Sequence, residues 1–214
     1  MKQKKNCYIQ FIEKVAIVLA ILLPEMSWNF GGPNLEPIKK LVSSEDTTLE
    51  EVLSNNTLSQ SLRYETEEVI DFFSKRENIK SLLIWSITTQ NDEDPDYYKY
   101  SRLSTSVLTT PSIQLQNALI DSNLLISAFR NFFRLSPEET PLICGNYQRI
   151  VEYFIRVTHG EILEQFSEIT SYLIDRIQVL PLRLLLFDIL TEFKEYLPDT
   201  QSVLQNISEI IEKG

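Results

Sequence analysis

Glycine is scarce in this chain: 5 among 214 residues. That disfavours a sheet protein built on tight hairpin turns and suits helices with short connections. Histidine occurs once, as His159, and cysteine twice, as Cys7 and Cys144. Two distant cysteines make no disulfide framework and cannot supply a four-ligand structural zinc site. This usage points to a reducing compartment. Cations are also short, with 20 Lys and Arg against 30 Asp and Glu, for a net charge of −10. Such a surface repels phosphate backbones and argues against nucleic-acid binding; its plainer role is solubility. The 43% hydrophobic content is ample for a core and excludes wholesale disorder.

Charge is uneven. Lys2, Lys4, Lys5 and Lys14 against Glu13 and Glu25 leave the first 26 residues at +2. An apolar run, Val15 to Leu23, follows the first three lysines. A basic start and a short apolar run resemble a secretory signal. The run is too short to span a bilayer, which takes about 20 apolar residues. Pro24-Glu25-Met26 is a poor cleavage site. Three readings of residues 1–25 stand. They are a signal, weakly supported by the sequons at Asn55 and Asn206, or an extra helix packed on the body; as a signal or an anchor they would make this a secreted or membrane-anchored helical binding protein. Or they are an upstream extension, with translation starting at Met26.

What is present reads as helix. Thr47-Thr48-Leu49-Glu50 spells a capping box, with Thr47 as N-cap; Ser136-Pro137-Glu138-Glu139 spells a second, with Pro137 at the first helical position. Asp121 precedes another periodic run as an expected N-cap. Tyr147, Ile150, Val151, Phe154 and Ile155 fall on one helical stripe, as do Ile162, Phe166, Ile169, Leu173 and Ile177. Strict alternation, the strand pattern, is nearly absent. Leu182 to Leu190 is apolar on almost every side, which predicts a helix buried between neighbours. Val203 to Ile211 is amphipathic again. The apolar stripes suggest rough pairs: 58–74 with 76–89, 98–109 with 112–133, 137–158 with 160–177, and 181–196 with 199–212. The expected fold is all-α, an α-solenoid of armadillo- or HEAT-like antiparallel helix pairs without a strict repeat.

Chemistry is hard to find. Asn91-Asp92-Glu93-Asp94-Pro95-Asp96 is acidic and should be an exposed loop. As a calcium loop starting at Asp92 it fails, with Tyr97 where Gly belongs and Leu103 where Glu belongs. An alternative reading makes Asp92–Asp96 the magnesium site of a helical enzyme, like the aspartate-rich motif of isoprenoid synthases; Pro95 breaks the helix that motif requires. Cys144 with His159 could form a nucleophilic pair. The structural reading puts His159 in the last turn of a helix that Gly160 ends in left-handed conformation. No Gly-rich phosphate loop is present; Gly31-Gly32-Pro33 precedes no Lys-Ser/Thr. No catalytic, metal or cofactor residue is assigned. Trp28 and Phe30, and Tyr97, Tyr98 and Tyr100 after the acidic loop, are the candidate protein-binding residues, because aromatic clusters often anchor interfaces. Core packing is the alternative for each.

The succession of elements resembles a known family. Met26-Ser27-Trp28-Asn29-Phe30 looks like the opening of the SAPS-domain proteins, the SIT-four-associated regulatory subunits of type-six protein serine/threonine phosphatases. An acidic segment with a short leucine helix follows (Ser44 to Leu53), then Val69-Ile70-Asp71-Phe72-Phe73, then Leu82-Leu83-Ile84-Trp85-Ser86-Ile87-Thr88 before the acidic loop. Tyr98-Lys99-Tyr100 and Thr105 to Thr110 complete the order. The match runs from Met26 to about Phe133 and thins toward Leu197. Departures include Ser61-Leu62-Arg63-Tyr64 where the family has a cysteine-lysine pair, Ser101 where proline usually follows, and Leu180-Pro181-Leu182-Arg183 in place of a Gly-Thr-Ser-like turn. The family domain is longer than this chain.

The resemblance implies a non-catalytic helical scaffold over 26–214. It would bind a phosphatase catalytic subunit and direct it to substrates, often with ankyrin-repeat partners. It implies a cytoplasmic location, with the nucleus as a second compartment and the secretory pathway only if residues 1–25 are a true signal. It also favours Met26 as the start.

Overall fold

The computed structural model describes residues 33–90, 93–134, 141–197 and Ser208. Residues 1–25, Met26, Trp28, Phe30, the Ser136 capping box and the 199–212 segment lie outside the described residues, except for Ser208. The chain divides into two units at Asn34–Leu35, and every described helix belongs to the second.

All regular structure among the described residues is helical. Twelve helices run Glu36–Val42 (α1), Leu49–Leu53 (α2), Leu58–Arg63 (α3), Glu67–Ser74 (α4), Arg76–Ile87 (α5) and Tyr97–Leu108 (α6). They continue as Ile113–Asp121 (α7), Leu124–Phe132 (α8), Pro141–Val157 (α9), Ile162–Gln165 (α10), Ile169–Ile174 (α11) and Leu180–Glu192 (α12). A 3₁₀ turn, Lys194–Tyr196, comes after α12. The fold is all-α and solenoid-like, as the apolar spacing implied. α4 packs against both α1 and α7, and α9 against both α5 and α12.

The helices are shorter than their periodicity suggests, because local caps cut three long stripes. The 58–74 stripe is split by Glu65, held at φ 46°. The amide of Thr66 donates to the Ser61 carbonyl at 2.9 Å and that of Glu65 to Leu62 at 3.1 Å. Those two bonds are the Schellman pattern that ends a helix. The 112–133 stripe is split at Asn123, at φ 56°. Asp121 is therefore the last residue of α7 and not the N-cap of α8; Asn123 occupies the N-cap position, and the Ser122 hydroxyl accepts from the Leu124 amide at 3.2 Å. The 160–177 stripe breaks at Phe166, whose φ of −134° and ψ of 49° leave the helical region.

The capping box exists, one residue later than expected. Thr48 is the N-cap of α2: its hydroxyl accepts from the Glu51 amide at 3.2 Å, and the Glu51 carboxylate accepts from the Thr48 amide at 2.9 Å. Thr47 instead donates its hydroxyl back to the Leu41 carbonyl. Both threonines can cap; the shift falls to Thr48 because Thr47 is drawn into the α1–α2 turn.

The expected helix pairing also shifts. α6 packs chiefly on α5, and α7 on α4. α9 packs mainly on α12, and α11 also lies against α12. The α5–α6 hairpin and α9 are locked by a buried polar clamp. The Asn146 amide donates to the Ser86 carbonyl at 2.9 Å and to the Ser101 hydroxyl at 2.8 Å, with all three residues buried. An aromatic cluster closes the space between α8 and α9: Phe132 stacks on Tyr147 at 3.9 Å, with Phe129 and Phe133 edge-on to the same ring.

Candidate protein-binding surface

The sequence offered three tyrosines after the acidic loop as one partner-facing element, and the structure separates them. Asp96 ends the loop and α6 begins at Tyr97. With 3.6 residues per turn, Tyr97 and Tyr100 fall on one side of the helix and Tyr98 on another. Tyr97 is 5% exposed and donates its hydroxyl to the Thr88 carbonyl at 3.0 Å. Its ring lies 6.3 Å from that of Trp85. Tyr97 is thus part of the α5–α6 packing. Tyr100 is half-buried, 5.0 Å from the Trp85 ring, and Lys99 reaches over its face. Tyr98 stands in solvent at 66% exposure. Trp85 is a buried core residue and donates its indole N–H to Glu50 at 3.1 Å.

The acidic loop is solvent-exposed from Glu93 to Asp96, and the Asp94 carboxylate accepts from the Asp96 amide at 2.7 Å. That bond forms an Asx turn, a local use of the carboxylate that starts α6. No cluster of three potential metal ligands occurs among the described residues, and Asp92 lies outside them. Cys144 and His159 are not a catalytic pair. Cys144 is buried in the first turn of α9, whereas His159 is exposed beyond its last residue. A rise of 1.5 Å per residue separates them by about 20 Å along the helix.

His159 also differs from its expected place. It does not sit in the last turn of α9; it is itself the left-handed residue that ends it, at φ 51°. The Gly160 amide donates to Ile155 at 2.8 Å and the His159 amide to Arg156 at 3.2 Å, a Schellman cap with His159 where glycine is usual. Gly160 has a positive φ as well, 97°, and a second demand: the Tyr196 ring packs where a Cβ would stand. Close approach, not only backbone hand, selects glycine there.

One surface feature was not legible in the sequence. The Leu182–Leu190 run was expected to be buried all round, yet α12 buries only Leu182, Leu185, Leu186 and Ile189. Leu180, Leu184 and Phe187 are 54, 45 and 62% exposed. They recur at i, i+4 and i+7 and so form one stripe. Periodicity could not reveal this, because every face of the run is apolar; only the placement of α9 and α11 on one side decides which half is covered. On the covered side, Arg156 of α9 bridges Glu152 at 3.2 Å and Glu192 of α12 at 2.7 Å. Partial burial, and then repulsion from Glu152 and Glu192, raises the Asp188 carboxyl above its ordinary value. No described helix is long and apolar enough to cross a membrane.

The chain that carries this helical surface is similar to regulatory proteins. A Xenopus laevis serine/threonine-protein phosphatase 6 regulatory subunit 3-A is 24% identical over 172 residues, 78% of this chain and 20% of the relative. The Gallus gallus regulatory subunit 3 is 24% identical over 132 residues, 61% of this chain and 15% of the relative. The Mus musculus regulatory subunit 2 is 23% identical over 128 residues, 59% and 14% respectively. The chain thus spans a fifth or less of the length of these curated relatives. No family model matches it. No solved structure matches it either.

Proposed function

We propose that this chain, a divergent SAPS-like relative of the phosphatase 6 regulatory subunits, is itself a non-catalytic regulatory subunit. It binds a type-six, SIT-four-like protein serine/threonine phosphatase catalytic subunit and directs it to substrates. The observation that carries this reading is the similarity to phosphatase 6 regulatory subunits across 78% of the chain. The helical stack supports it, since stacked helices present broad faces to partner proteins. The exposed Tyr98 and the Leu180, Leu184 and Phe187 stripe supply apolar contact points for such a partner. Trp28 and Phe30 remain candidates alongside them, and an ankyrin-repeat protein is a further partner. The chain works in the cytoplasm, and in the nucleus where its phosphatase does. Its sparing use of cysteine, with Cys144 buried, supports a reducing compartment.

Affinity purification of the tagged full chain, followed by mass spectrometry, tests this. A type-six catalytic subunit should be recovered, and Phe187→Glu or Tyr98→Ala should reduce its recovery without lowering thermal stability, because both side chains are exposed. Recovery of no phosphatase catalytic subunit refutes the reading.

A further inference from the structure

A groove of about 560 Å³ lies between α5 and α8, away from the tyrosines of α6 and the stripe on α12. Leu83, Ile84, Leu124 and Ala128 give it an apolar floor. Lys80 and Arg134 flank it, both exposed, and among the described residues no carboxylate lines it. That is unusual in a chain of net charge −10. Three other cations are paired: Lys39 with Glu68, Arg130 with Glu168, and Arg156 with Glu152 and Glu192. Lys80 and Arg134 make no ion pair among the described residues. A second groove that holds Arg63 and Arg149 also holds Glu65.

The groove has direction. The Arg76 guanidinium donates to the Ser122 carbonyl at 2.9 Å, which brings the start of α5 to the start of α8. The two helices therefore run the same way from that point. Lys80 lies about one turn along α5, and Arg134 lies ten residues beyond Leu124, about 15 Å at 1.5 Å per residue. The offset between the two cations along the groove is then about 9 Å, which suits about three residues of extended chain. Asn131 on the wall offers an amide to pair with a peptide backbone.

We propose that the α5–α8 groove binds an extended acidic segment of a partner protein, with apolar side chains on the Leu83/Ile84/Leu124/Ala128 floor and carboxylates at Lys80 and Arg134. The commitment rests on charge complementarity: two unpaired cations flank an apolar floor, and the surrounding acidic surface repels any acidic chain that lacks this docking point. Nucleic acid fits less well, because the groove has no aromatic face for a base to stack on. This binding is independent of the phosphatase reading and is measured apart from it.

The test uses the purified full chain and a fluorescein-labelled peptide, Glu-Asp-Leu-Leu-Asp-Glu, followed by fluorescence anisotropy. Lys-Lys-Leu-Leu-Lys-Lys and Glu-Asp-Ser-Ser-Asp-Glu serve as controls. The acidic leucine peptide should bind best, and weaken as salt rises from roughly 50 to roughly 500 mM. Combined Lys80→Glu and Arg134→Glu should weaken it about tenfold or more and improve binding of the basic peptide. Ser127→Trp, which fills the groove without changing charge, should also abolish binding. All three substituted positions are exposed, so an unchanged urea midpoint confirms folding. Absence of binding to about 1 mM, equal binding by wild type and the charge-reversed variant, or equal binding of the basic peptide overturns the proposal. So does sedimentation showing that the groove substitutions chiefly dissolve a dimer of this chain. Catalytic-subunit recovery is scored separately, so either idea can fail alone.

Discussion

Asn146→Ala should be among the most damaging single polar substitutions in the stack. Among the described residues, its amide ties α9 to both arms of the α5–α6 hairpin through two hydrogen bonds. The Ser86 carbonyl lies at the end of α5, where carbonyls lack intrahelical partners. Truncation leaves that carbonyl and the Ser101 hydroxyl to find new partners in a region where both serines are fully buried. An unmet buried polar group costs about 1–3 kcal/mol, so the pair amounts to about 2–6 kcal/mol, plus a smaller term for the space left behind. Urea unfolding monitored by circular dichroism reads this as a lowered midpoint with an unchanged slope. Asn146→Asp sharpens the test. At neutral pH its carboxylate would face the Ser86 carbonyl with no proton to donate. Burial and that repulsion raise its folded pKa above the unfolded value of about 3.9. Its relative stability is then greatest below about pH 3.9 and is lost as pH rises through the folded pKa, where the carboxyl ionises. A loss under about 0.5 kcal/mol for Asn146→Ala, or a pH-independent deficit for Asn146→Asp relative to wild type, refutes the clamp as described.

Other substitutions probe the caps and the core. Gly160→Ala should cost about 2 kcal/mol or more, read as a lower melting temperature, because the added methyl meets the Tyr196 ring at a left-handed backbone position. His159→Gly should do the opposite, stabilising by up to about 1 kcal/mol in urea by relieving the left-handed strain, offset partly by glycine's greater unfolded freedom. Tyr147→Phe should leave stability unchanged or raise it by about 1 kcal/mol, since the Tyr147 hydroxyl is buried without a partner. Burial pushes that phenol well above its usual range. The wild type should therefore hold its stability below about pH 10 and lose it as pH rises further, while Tyr147→Phe shows a shallower loss. Arg156→Ala should cost no more than about 1 kcal/mol, because the pairs it makes are exposed.

Much of the fold was legible without coordinates. The helical stripes around Tyr147 and Ile162, the scarcity of glycine and the order of elements from Ser44 to Thr110 already implied a helical stack of SAPS-like character. Helix ends were less legible. A threonine pair can cap from either member, and Glu65, Asn123 and His159 took left-handed positions that composition assigns first to glycine. Glu65 and His159 gain their place from Schellman bonds and Asn123 from the turn at Ser122, longer-range arrangements that no single-residue propensity contains. The site was least legible. Tyr97, Tyr98 and Tyr100 are neighbours in sequence, but helical rotation sends Tyr97 inward and Tyr98 outward.

Residue order and composition alone make this chain helical and acidic, and carry its resemblance to the SAPS-domain family. Those properties are local or additive: periodicity, charge and order along the chain. Packing in three dimensions decided which helices meet, which half of α12 stays uncovered, and that Lys80 and Arg134, 54 positions apart, share one groove with no carboxylate among its described residues. These depend on how α5, α8, α9 and α12 fit together, and contact between distant segments is set by shape complementarity that no window of sequence holds.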